Sequence, residues 1–354
     1  MPLRLYPDAK RIVIACPNWL GDACMSTPIV RAIRDNYPDA IIDLYVRPYV
    51  AELYRSLPWH DDILSFERSE RSAAIQRIRK GRYDLGILLC NSFRTAWTFW
   101  RAGVTRRVGF SRDLRWFLLS DRIRFMSHGF PPKRLRFPTL DCYMALLYYL
   151  GLKAPNKRIE LRVSESAEKY ATELLDKLDV PDDMPILGVA PGAAWGKAKC
   201  WLPARFAEVS SIIHKEHGFH PLLFCGPGEE KLVESIEKEA GTHWSSLRGQ
   251  SLGLELFFAL VKRCALLVTN DSGPRHVAAG LSVPAVVIFG PTQQELTYIG
   301  RDHELSLQAD VKCGPCQLPI CPTDHECMQQ ISSEEVVQAL IELNQESQGI
   351  TDDS

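Results

Sequence analysis

Short apolar runs alternate with amphipathic segments along this chain, and the alternation occurs in two successive blocks. The runs are too short for helices and are bounded by turn residues, so we predict that they are buried strands. In the first block the predicted strands are residues 11–16, 41–46 and 85–90. In the second block they are residues 186–190, 221–226, 265–270 and 284–290. Strands separated by helices pair in parallel through right-handed crossovers, which predicts an α/β fold with two Rossmann-like, doubly wound domains.

The segments between the strands carry apolar residues at the three- and four-residue spacing of helices. The predicted helices are residues 26–36, 69–80, 136–150, 164–178, 203–217, 229–240, 254–262 and 273–281. A polar, proline-bounded stretch at residues 179–185 (DVPDDMP) is typical of a linker. Since 354 residues exceed the usual size of one hydrophobic core, we expect one domain over 1–180 and another over 181–354. The C-terminal helix can pack on its own domain or back on the first.

Hydrophobic residues make up 46% of the chain, enough for two cores. No run approaches the roughly 18 uninterrupted apolar residues that predict a membrane-spanning helix. The first residues enter a strand directly, without the apolar stretch and cleavage site of a signal peptide. We therefore expect a cytoplasmic protein.

Charge is divided unevenly along the chain. Residues 1–150 hold 24 Lys and Arg against 14 Asp and Glu, whereas the remainder holds 18 against 29. A basic half indicates an anionic partner such as nucleic acid, a membrane surface or a phosphorylated glycan. A solvated basic face is the alternative interpretation.

The glycine fingerprints of dinucleotide-binding and P-loop proteins are absent from the sequence. Polar residues instead follow the predicted strands, at the edge where doubly wound sheets bind ligands. Asp22 follows the first strand and immediately precedes a predicted helix. Such a carboxylate can face a ligand, or it can cap the helix.

The second block repeats this arrangement. Ser272 and Gly273 follow its third strand and open a helix whose free N–H groups and dipole attract a pyrophosphate. A loop of small residues with Lys197 and Lys199 follows its first strand. Glu229 and Glu230 follow its second strand, where an acidic side chain can hold ribose hydroxyls. This block therefore has the features of a nucleotide-binding domain.

Four stretches, at residues 17–28, 91–121, 191–203 and 269–292, together resemble the ADP-heptose:lipopolysaccharide heptosyltransferases of glycosyltransferase family 9. The resemblance implies a GT-B architecture, with two Rossmann-like domains facing a central cleft. It also implies an inverting transfer of heptose from ADP-heptose to the inner core of lipopolysaccharide, without a required cofactor. A transferase for another nucleotide-sugar or glycan, or a non-catalytic glycan- or nucleotide-binding protein, are the alternatives.

The resemblance implies roles for individual residues. Asp22 matches the general base that takes the acceptor proton, and Lys199 matches a lysine at the donor phosphates. The implied donor-phosphate loop consists of Asp271, Ser272, Gly273 and His276. Glu229 or Glu230 is expected at the ribose. The alternatives are an N-cap for Asp22, a surface lysine for Lys199 and a satisfied core histidine for His276; Arg275 departs from the expected apolar residue.

The acceptor that the resemblance implies is lipid A bearing Kdo, a carboxylate- and phosphate-bearing glycolipid that suits the basic half. We expect peripheral attachment to the cytoplasmic face of the inner membrane and no nucleic-acid partner. The candidate acceptor residues are Asn91, Ser92, Arg94, Arg106, Arg107, Arg112 and Arg115. The aromatic residues Trp97, Trp100, Trp116 and Phe117 can reach the membrane interface, but a core position is favoured.

Four cysteines crowd near the C-terminus in the pattern C-x2-C-x4-C-x5-C, formed by Cys313, Cys316, Cys321 and Cys327. Four thiolates can bind zinc tetrahedrally, yet the spacing lacks a second C-x2-C. Reduced thiols or one disulfide are the alternatives, and we expect no bound metal. No Asp-x-Asp triplet is present, which disfavours a catalytic divalent metal.

Overall fold

The computed structural model describes residues 5–124, 137–154, 156–241, 244–299 and 303–349. The chain divides into two compact units. The first comprises Met1–Leu161 with Glu295–Gly300, and the second comprises Arg162–Gln294 with Arg301–Ser354.

The first unit is built on a parallel sheet of six strands. They are β1 (Arg11–Ala15), β2 (Ile41–Val46), β3 (Asp62–Ser65), β4 (Leu85–Leu88), β5 (Arg106–Phe110) and β6 (Asp121–Ile123). Their order in the sheet is β3-β2-β1-β4-β5-β6. The central strand β1 is buried because it lies between β2 and β4, with Ile12 paired to Ile42 on one side and to Leu85 on the other.

Helices cover both faces of this sheet, as parallel crossovers require. They are α1 (Leu20–Asn36), α2 (Pro48–Arg55), α3 (Arg71–Gly81), α4 (Phe93–Arg101) and α5 (Thr139–Tyr149), with a short 3-10 turn at Trp116–Leu118. Ser92 caps α4 by accepting a hydrogen bond from the Thr95 N–H at 3.4 Å. The helix predicted over residues 136–150 corresponds to α5, and its predicted first residue, 136, lies outside the described residues.

The second unit repeats this plan. Its strands are β7 (Ile186–Ala190), β8 (His220–Leu223), β9 (Ser245–Ser246), β10 (Cys264–Asn270), β11 (Ala285–Phe289) and β12 (Glu304–Gln308). They are parallel and ordered β12-β11-β10-β7-β8-β9. Numbered within the unit, this is the same 3-2-1-4-5-6 order as in the first sheet, the order of the Rossmann fold.

The helices of the second unit surround a core that includes Trp201, Phe206 and Met328. They are α6 (Glu165–Lys177), α7 (Pro203–His217), α8 (Glu230–Ala240), α9 (Leu254–Lys262), α10 (Gly273–Leu281), α11 (Glu326–Gln329) and α12 (Ser333–Gly349). In the described part of the chain, no helix is long and apolar enough to cross a membrane.

The two sheets confirm the predicted pair of doubly wound α/β domains. The division between the units falls at Leu161, however, earlier than the boundary expected at residue 180. The physical reason is α6, which packs on α9 and whose Glu168 forms an ion pair with Lys262. The C-terminal helix α12 packs on α7 and on strands β10–β12 of its own unit.

In each sheet the strand order reverses at one point, between β1 and β4 in the first unit and between β7 and β10 in the second. Ligands of open α/β sheets bind beyond the carboxyl ends of the strands at such switch points. The fold therefore directs attention to the loops that follow these four strands.

Candidate functional site

At the switch point of the second unit, a lysine and an aspartate meet. Lys199 ends a 3-10 turn that follows β7, and Asp271 follows β10. The Lys199 Nζ donates to Asp271 Oδ2 at 2.7 Å and to the Asp271 carbonyl oxygen at 2.8 Å. The lysine side chain is only 12% exposed, so its position is set by this pair and it is not a loose surface lysine.

Asp271 is held by further donors. Its Oδ2 accepts a hydrogen bond from Thr292 Oγ1 at 2.8 Å, and its Oδ1 lies 3.3 Å from Arg275 Nη1. Burial alone would raise the pKa of Asp271, but the charges of Lys199 and Arg275 outweigh burial and lower the pKa to about 2. The carboxylate is therefore ionised at neutral pH, and its oxygens orient cations rather than face an anion.

Arg275, the residue that departs from the expected apolar type, is explained by a second ion pair. Its Nε and Nη2 donate to the two carboxylate oxygens of Glu304 at 2.9 and 2.8 Å, and both side chains are buried. Glu304 begins β12, a strand that the sequence did not predict. Arg275 thus joins Asp271 to the edge of the sheet, which gives it a structural role.

The amino terminus of α10 has two buried polar atoms that no described group satisfies. They are Ser272 Oγ and His276 Nδ1. Ser272 stands at the N-cap position, yet its side chain does not cap the helix. Burial, and then the Arg275 charge, lower the pKa of His276 to about 3, so its ring is neutral at pH 7. Because buried polar atoms are normally paired, these two indicate a ligand at the helix terminus, beside the N–H groups of the turn that Gly273 begins.

Only one of the two candidate glutamates lies against the loop that follows β7. Glu229 is partly buried, and its Oε2 accepts a hydrogen bond from the Gly226 N–H at 2.8 Å. A Cβ at Gly192 would lie 1.8 Å from Glu229 Oε1, so Gly192 lets the loop after β7 approach this carboxylate. Glu230 is exposed at the start of α8. The geometry therefore favours Glu229 over Glu230.

The cysteine-rich segment supports the lysine turn. The Pro319 carbonyl accepts a hydrogen bond from the Ala198 N–H at 3.1 Å, and His325 Nε2 lies 2.7 Å from the Ala198 carbonyl oxygen. The four cysteines line a small cavity of about 130 Å³ beside this turn; they are Cys313, Cys316, Cys321 and Cys327. All four are free thiols, and in the described chain no three His, Cys, Asp or Glu side chains are gathered for a metal.

The first unit holds a cavity of about 640 Å³ at the carboxyl edge of its sheet. The loops after β1, β2 and β4 and the start of α3 supply its walls, with Asn18, Ser92 and Thr95 among the polar groups. Four arginines line it, and the described lining contains no acidic residue: Arg47, Arg68, Arg71 and Arg94. Such a cavity attracts an anion and offers it several guanidinium groups.

Asp22 is four residues after Asn18, which lines the cavity, and lies in the first turn of α1. The N-cap position of α1 is Trp19, one position before the helix begins at Leu20. Asp22 is therefore not the N-cap, although a carboxylate in the first turn still interacts favourably with the helix dipole. Asp22 follows β1 in the helix that begins at Leu20 and is not among the residues that line the cavity, so its general-base role remains a prediction.

The structure brings only part of the predicted acceptor set to the cavity. Ser92 and Arg94 line it. Arg106 and Arg107 begin β5, so in a parallel sheet they lie at the opposite, amino edge. Arg107 donates there to the Leu118 carbonyl oxygen at 2.7 Å, and the Arg106 guanidinium lies 5.5 Å from the centre of the Tyr6 ring.

The remaining predicted acceptor residues have different surroundings. Arg112 is exposed just after β5. Arg115 is fully buried and donates to the Cys90 carbonyl oxygen at 2.6 Å and to Asn91 Oδ1 at 2.9 Å. Arg115 therefore holds the loop after β4 in place, with its guanidinium occupied by these contacts, and Asn91 Oδ1 is one of its acceptors.

Three of the four cavity arginines were absent from the predicted set. Arg47 directly follows the predicted strand at 41–46, so its place at the sheet edge could have been inferred from the sequence. Arg68 and Arg71 follow β3, a four-residue strand with a single buried residue and too weak a pattern to predict.

Comparisons with known proteins show the family to which the chain belongs. The sequence profile of glycosyltransferase family 9 (heptosyltransferase) matches residues 71–325. Lipopolysaccharide heptosyltransferase 2 of Escherichia coli K12 is 28% identical over 305 residues, covering 81% of this chain and 84% of that protein. Lipooligosaccharide heptosyltransferase 2 of Campylobacter jejuni serotype O:6 is 26% identical over 341 residues, covering 94% and 99%.

Solved structures show the same fold. The E. coli ADP-heptose LPS heptosyltransferase II superposes with a TM-score of 0.80 at 26% identity, covering 96% of this chain and 99% of that one. A family 9 glycosyltransferase from Veillonella parvula superposes with a TM-score of 0.83 at 23% identity, covering 97% and 99%. These similarities confirm the predicted fold class, and the profile covers more than half of the sequence. The chain is a glycosyltransferase and belongs to glycosyltransferase family 9.

Proposed function

We propose that this enzyme transfers a heptose from ADP-L-glycero-D-manno-heptose to the inner core of lipopolysaccharide, with inversion at the anomeric carbon. The observation that carries the proposal is the cationic chemistry at both switch points, suited to a diphosphate in the second unit and to an anionic glycan in the first. Similarity to heptosyltransferases 2 over most of their length supports the choice of sugar and acceptor.

The second unit would bind the donor. Its diphosphate would accept hydrogen bonds from Lys199, from Ser272 and His276, and from the N–H groups at Gly273. Asp271 would not contact the donor but would fix the position of Lys199. Glu229 would accept hydrogen bonds from the ribose hydroxyls.

The first unit would bind the acceptor, a lipid A that carries Kdo. Its carboxylates and phosphates would pair with the four arginines of the cavity. Asp22 would take the proton of the attacking hydroxyl. As that oxygen bonds to the anomeric carbon, the bond from this carbon to the phosphate oxygen breaks and ADP leaves with the electron pair. Lys199 and the α10 terminus would stabilise the charge on ADP, so the chemistry needs no metal ion.

Because the acceptor is a glycolipid of the inner membrane, we propose that the enzyme works at the cytoplasmic face of that membrane as a peripheral protein. The basic charge of the first half would serve this acceptor rather than a nucleic acid.

Donor choice can be tested by thermal shift, since a ligand that binds the folded state stabilises it by mass action. ADP-heptose is expected to raise the melting temperature more than ADP-glucose or UDP-glucose at equal concentration. A larger shift with a UDP-sugar would point to another transferase of this family. Binding of ADP-heptose without hydrolysis or transfer to any glycan would instead indicate a non-catalytic binding protein.

A further inference from the structure

Four large apolar side chains stand together on the outside of the first unit. We call them the aromatic surface: Phe93, Leu114, Trp116 and Phe117. Their exposed fractions are 41%, 79%, 51% and 53% respectively. The sequence favours a core position for Trp97, Trp100, Trp116 and Phe117. This is wrong for Trp100, Trp116 and Phe117, which are exposed, whereas Trp97 is partly buried. Exposed apolar clusters of this kind mark interaction sites.

The three rings form one contiguous layer, and Leu114 is two residues before Trp116 in the same loop. The Phe117 ring lies 6.0 Å from that of Phe93 and 5.6 Å from that of Trp116, both edge to face. Phe93 begins α4 and the other rings belong to the 3-10 turn after β5, so two separate elements build the layer. The aromatic surface is thus a product of the tertiary fold.

The loop that carries three of these side chains is fixed from inside. Between Leu114 and Trp116, Arg115 points inward and donates to the carbonyl oxygens of Phe110 and Cys90 at 2.9 and 2.6 Å. Leu114 has a φ of +56°, a conformation that costs a side-chain-bearing residue roughly 1–2 kcal/mol. The loop therefore holds an apolar side chain in solvent at an energetic cost.

Exposed basic side chains accompany the layer. The Arg122 guanidinium lies 5.1 Å from the centre of the Trp116 ring, and Arg124 is two residues further along the chain. Arg94 follows Phe93 in sequence, and Arg112 is two residues before Leu114. Asp113 is an exposed carboxylate in the same loop. The arginines outnumber it, so the surroundings complement an anionic surface. Trp and Phe with flanking Arg are the residues that seat proteins in the interface of anionic bilayers.

The aromatic surface is continuous with the four-arginine cavity. Phe93 lines the cavity and touches Phe117, and the neighbouring Arg94 also lines it. A glycolipid bound in the cavity keeps its acyl chains in the membrane. The bilayer must therefore come close to the cavity, and the aromatic surface is the apolar part of the first unit beside it.

We propose that the aromatic surface is the membrane-docking site of this enzyme and that its partner is an anionic lipid bilayer. Trp116, Phe117 and Leu114 enter the interfacial region, while Arg112, Arg122 and Arg124 meet the lipid headgroups. The inference rests on the proposed function only in taking the acceptor to be membrane-bound.

Co-sedimentation with vesicles tests the docking site without any catalysis. The full chain is mixed with phosphatidylcholine vesicles that contain phosphatidylglycerol, and with pure phosphatidylcholine vesicles. Trp116→Ala combined with Phe117→Ala is expected to weaken binding to the anionic vesicles about tenfold, equivalent to about 1.4 kcal/mol. Arg112→Glu is expected to weaken binding to the anionic vesicles alone. Tyr170→Ala, which removes an aromatic side chain that is 63% exposed on the second unit, is the matched control and should bind as the parent does.

The double variant should also transfer sugar to a deacylated, water-soluble acceptor at the parental rate, because Trp116 and Phe117 do not line the cavity. Equal vesicle binding by the parent and the double variant would overturn the docking site even if the enzyme transfers heptose normally. Equal losses in the double variant and in Tyr170→Ala would overturn it too. Failure of the proposed function would show instead as absence of transfer to every acceptor while vesicle binding persists.

Discussion

At the residue scale, the switch point of the second unit is organised by the contacts of one buried carboxylate. Asp271 binds Lys199, Thr292 and Arg275, and Arg275 is itself neutralised by Glu304. The ion pair with Asp271 therefore holds Lys199 in place. A diphosphate would add to this network a second anion for the lysine, beside the unsatisfied atoms of Ser272 and His276.

Replacing Lys199 with Ala should weaken donor binding as well as turnover. Its charge would meet the diphosphate in both the ground state and the transition state. A hydrogen bond to a charged group is worth about 1.5–3 kcal/mol, so the Kd for ADP-heptose should rise roughly 10- to 100-fold by calorimetry. Lys197→Ala, an exposed lysine of the same turn, is the control. Equal affinities of Lys199→Ala and the parent would show that this lysine does not bind the donor.

Asp22→Asn should reduce turnover by about 10²–10⁴ and leave the Kd for ADP-heptose unchanged. The proposed role concerns the proton of the acceptor, so the nucleotide should not sense the change. Asp35→Asn provides a matched control, because Asp35 is an exposed aspartate near the end of the same helix. Near-parental turnover of Asp22→Asn, measured by ADP release, would exclude the general-base role.

Asp271→Asn should destabilise the protein in a pH-dependent way. Breaking a buried ion pair costs about 3–5 kcal/mol. The folded-state pKa, about 2, lies below the ordinary value of 3.8. The stability that ionised Asp271 contributes is therefore complete above pH 4 and is lost as the pH falls towards 2. Urea unfolding should show a large difference from the parent at pH 7 and a smaller one at pH 3; a difference that does not change with pH would contradict this.

At the element scale, the four-arginine cavity is formed by loops that follow the carboxyl ends of parallel strands. Arg47 follows β2, Arg68 and Arg71 follow β3, and Arg94 follows β4. Arg106 begins β5 and so lies at the other edge of the same sheet. Basic residues can therefore bind one ligand together only if they follow the same edge of the sheet, however many arginines the sequence contains.

The double variant Arg68→Ala/Arg71→Ala should raise the acceptor KM several-fold and leave the donor KM unchanged. Added salt shortens the Debye length below roughly 8 Å and should raise the parental acceptor KM; the double variant should respond less to salt. Both arginines are exposed, so folding should not suffer. Arg106→Ala should behave as the parent does. An equal effect of Arg106→Ala would mean that the basic half acts as a diffuse field and not through the cavity.

The sequence was sufficient to predict elements with strong patterns. The strand at 186–190 and the helices at 203–217, 254–262 and 273–281 have the predicted bounds. It did not predict β3, β5, β6, β9 or β12, which are short or begin with charged residues. It also could not show that Arg115 is buried, since that depends on carbonyl groups brought together by the fold.

At the scale of the whole molecule, two copies of one topology carry opposite charge. Residues 1–150 are rich in Lys and Arg, and the remainder is rich in Asp and Glu. The second unit nevertheless presents Lys199 and a helix terminus at its switch point. The charge of this switch point therefore differs in sign from the net charge of the second unit. In the first half, by contrast, the excess of basic residues extends to the cavity and to the surroundings of the aromatic surface.

The proposed reaction moves heptose from ADP-heptose to an anionic lipopolysaccharide acceptor. Mass spectrometry of the acceptor tests this reaction most directly. The acceptor, Kdo-bearing lipid A with or without a first heptose, is incubated with ADP-heptose. We expect a product heavier by one heptose residue with release of one ADP, formed about 10²- to 10⁴-fold more slowly by Asp22→Asn. An unmodified acceptor in the presence of both substrates, or a product formed equally well from another nucleotide-sugar, would contradict it.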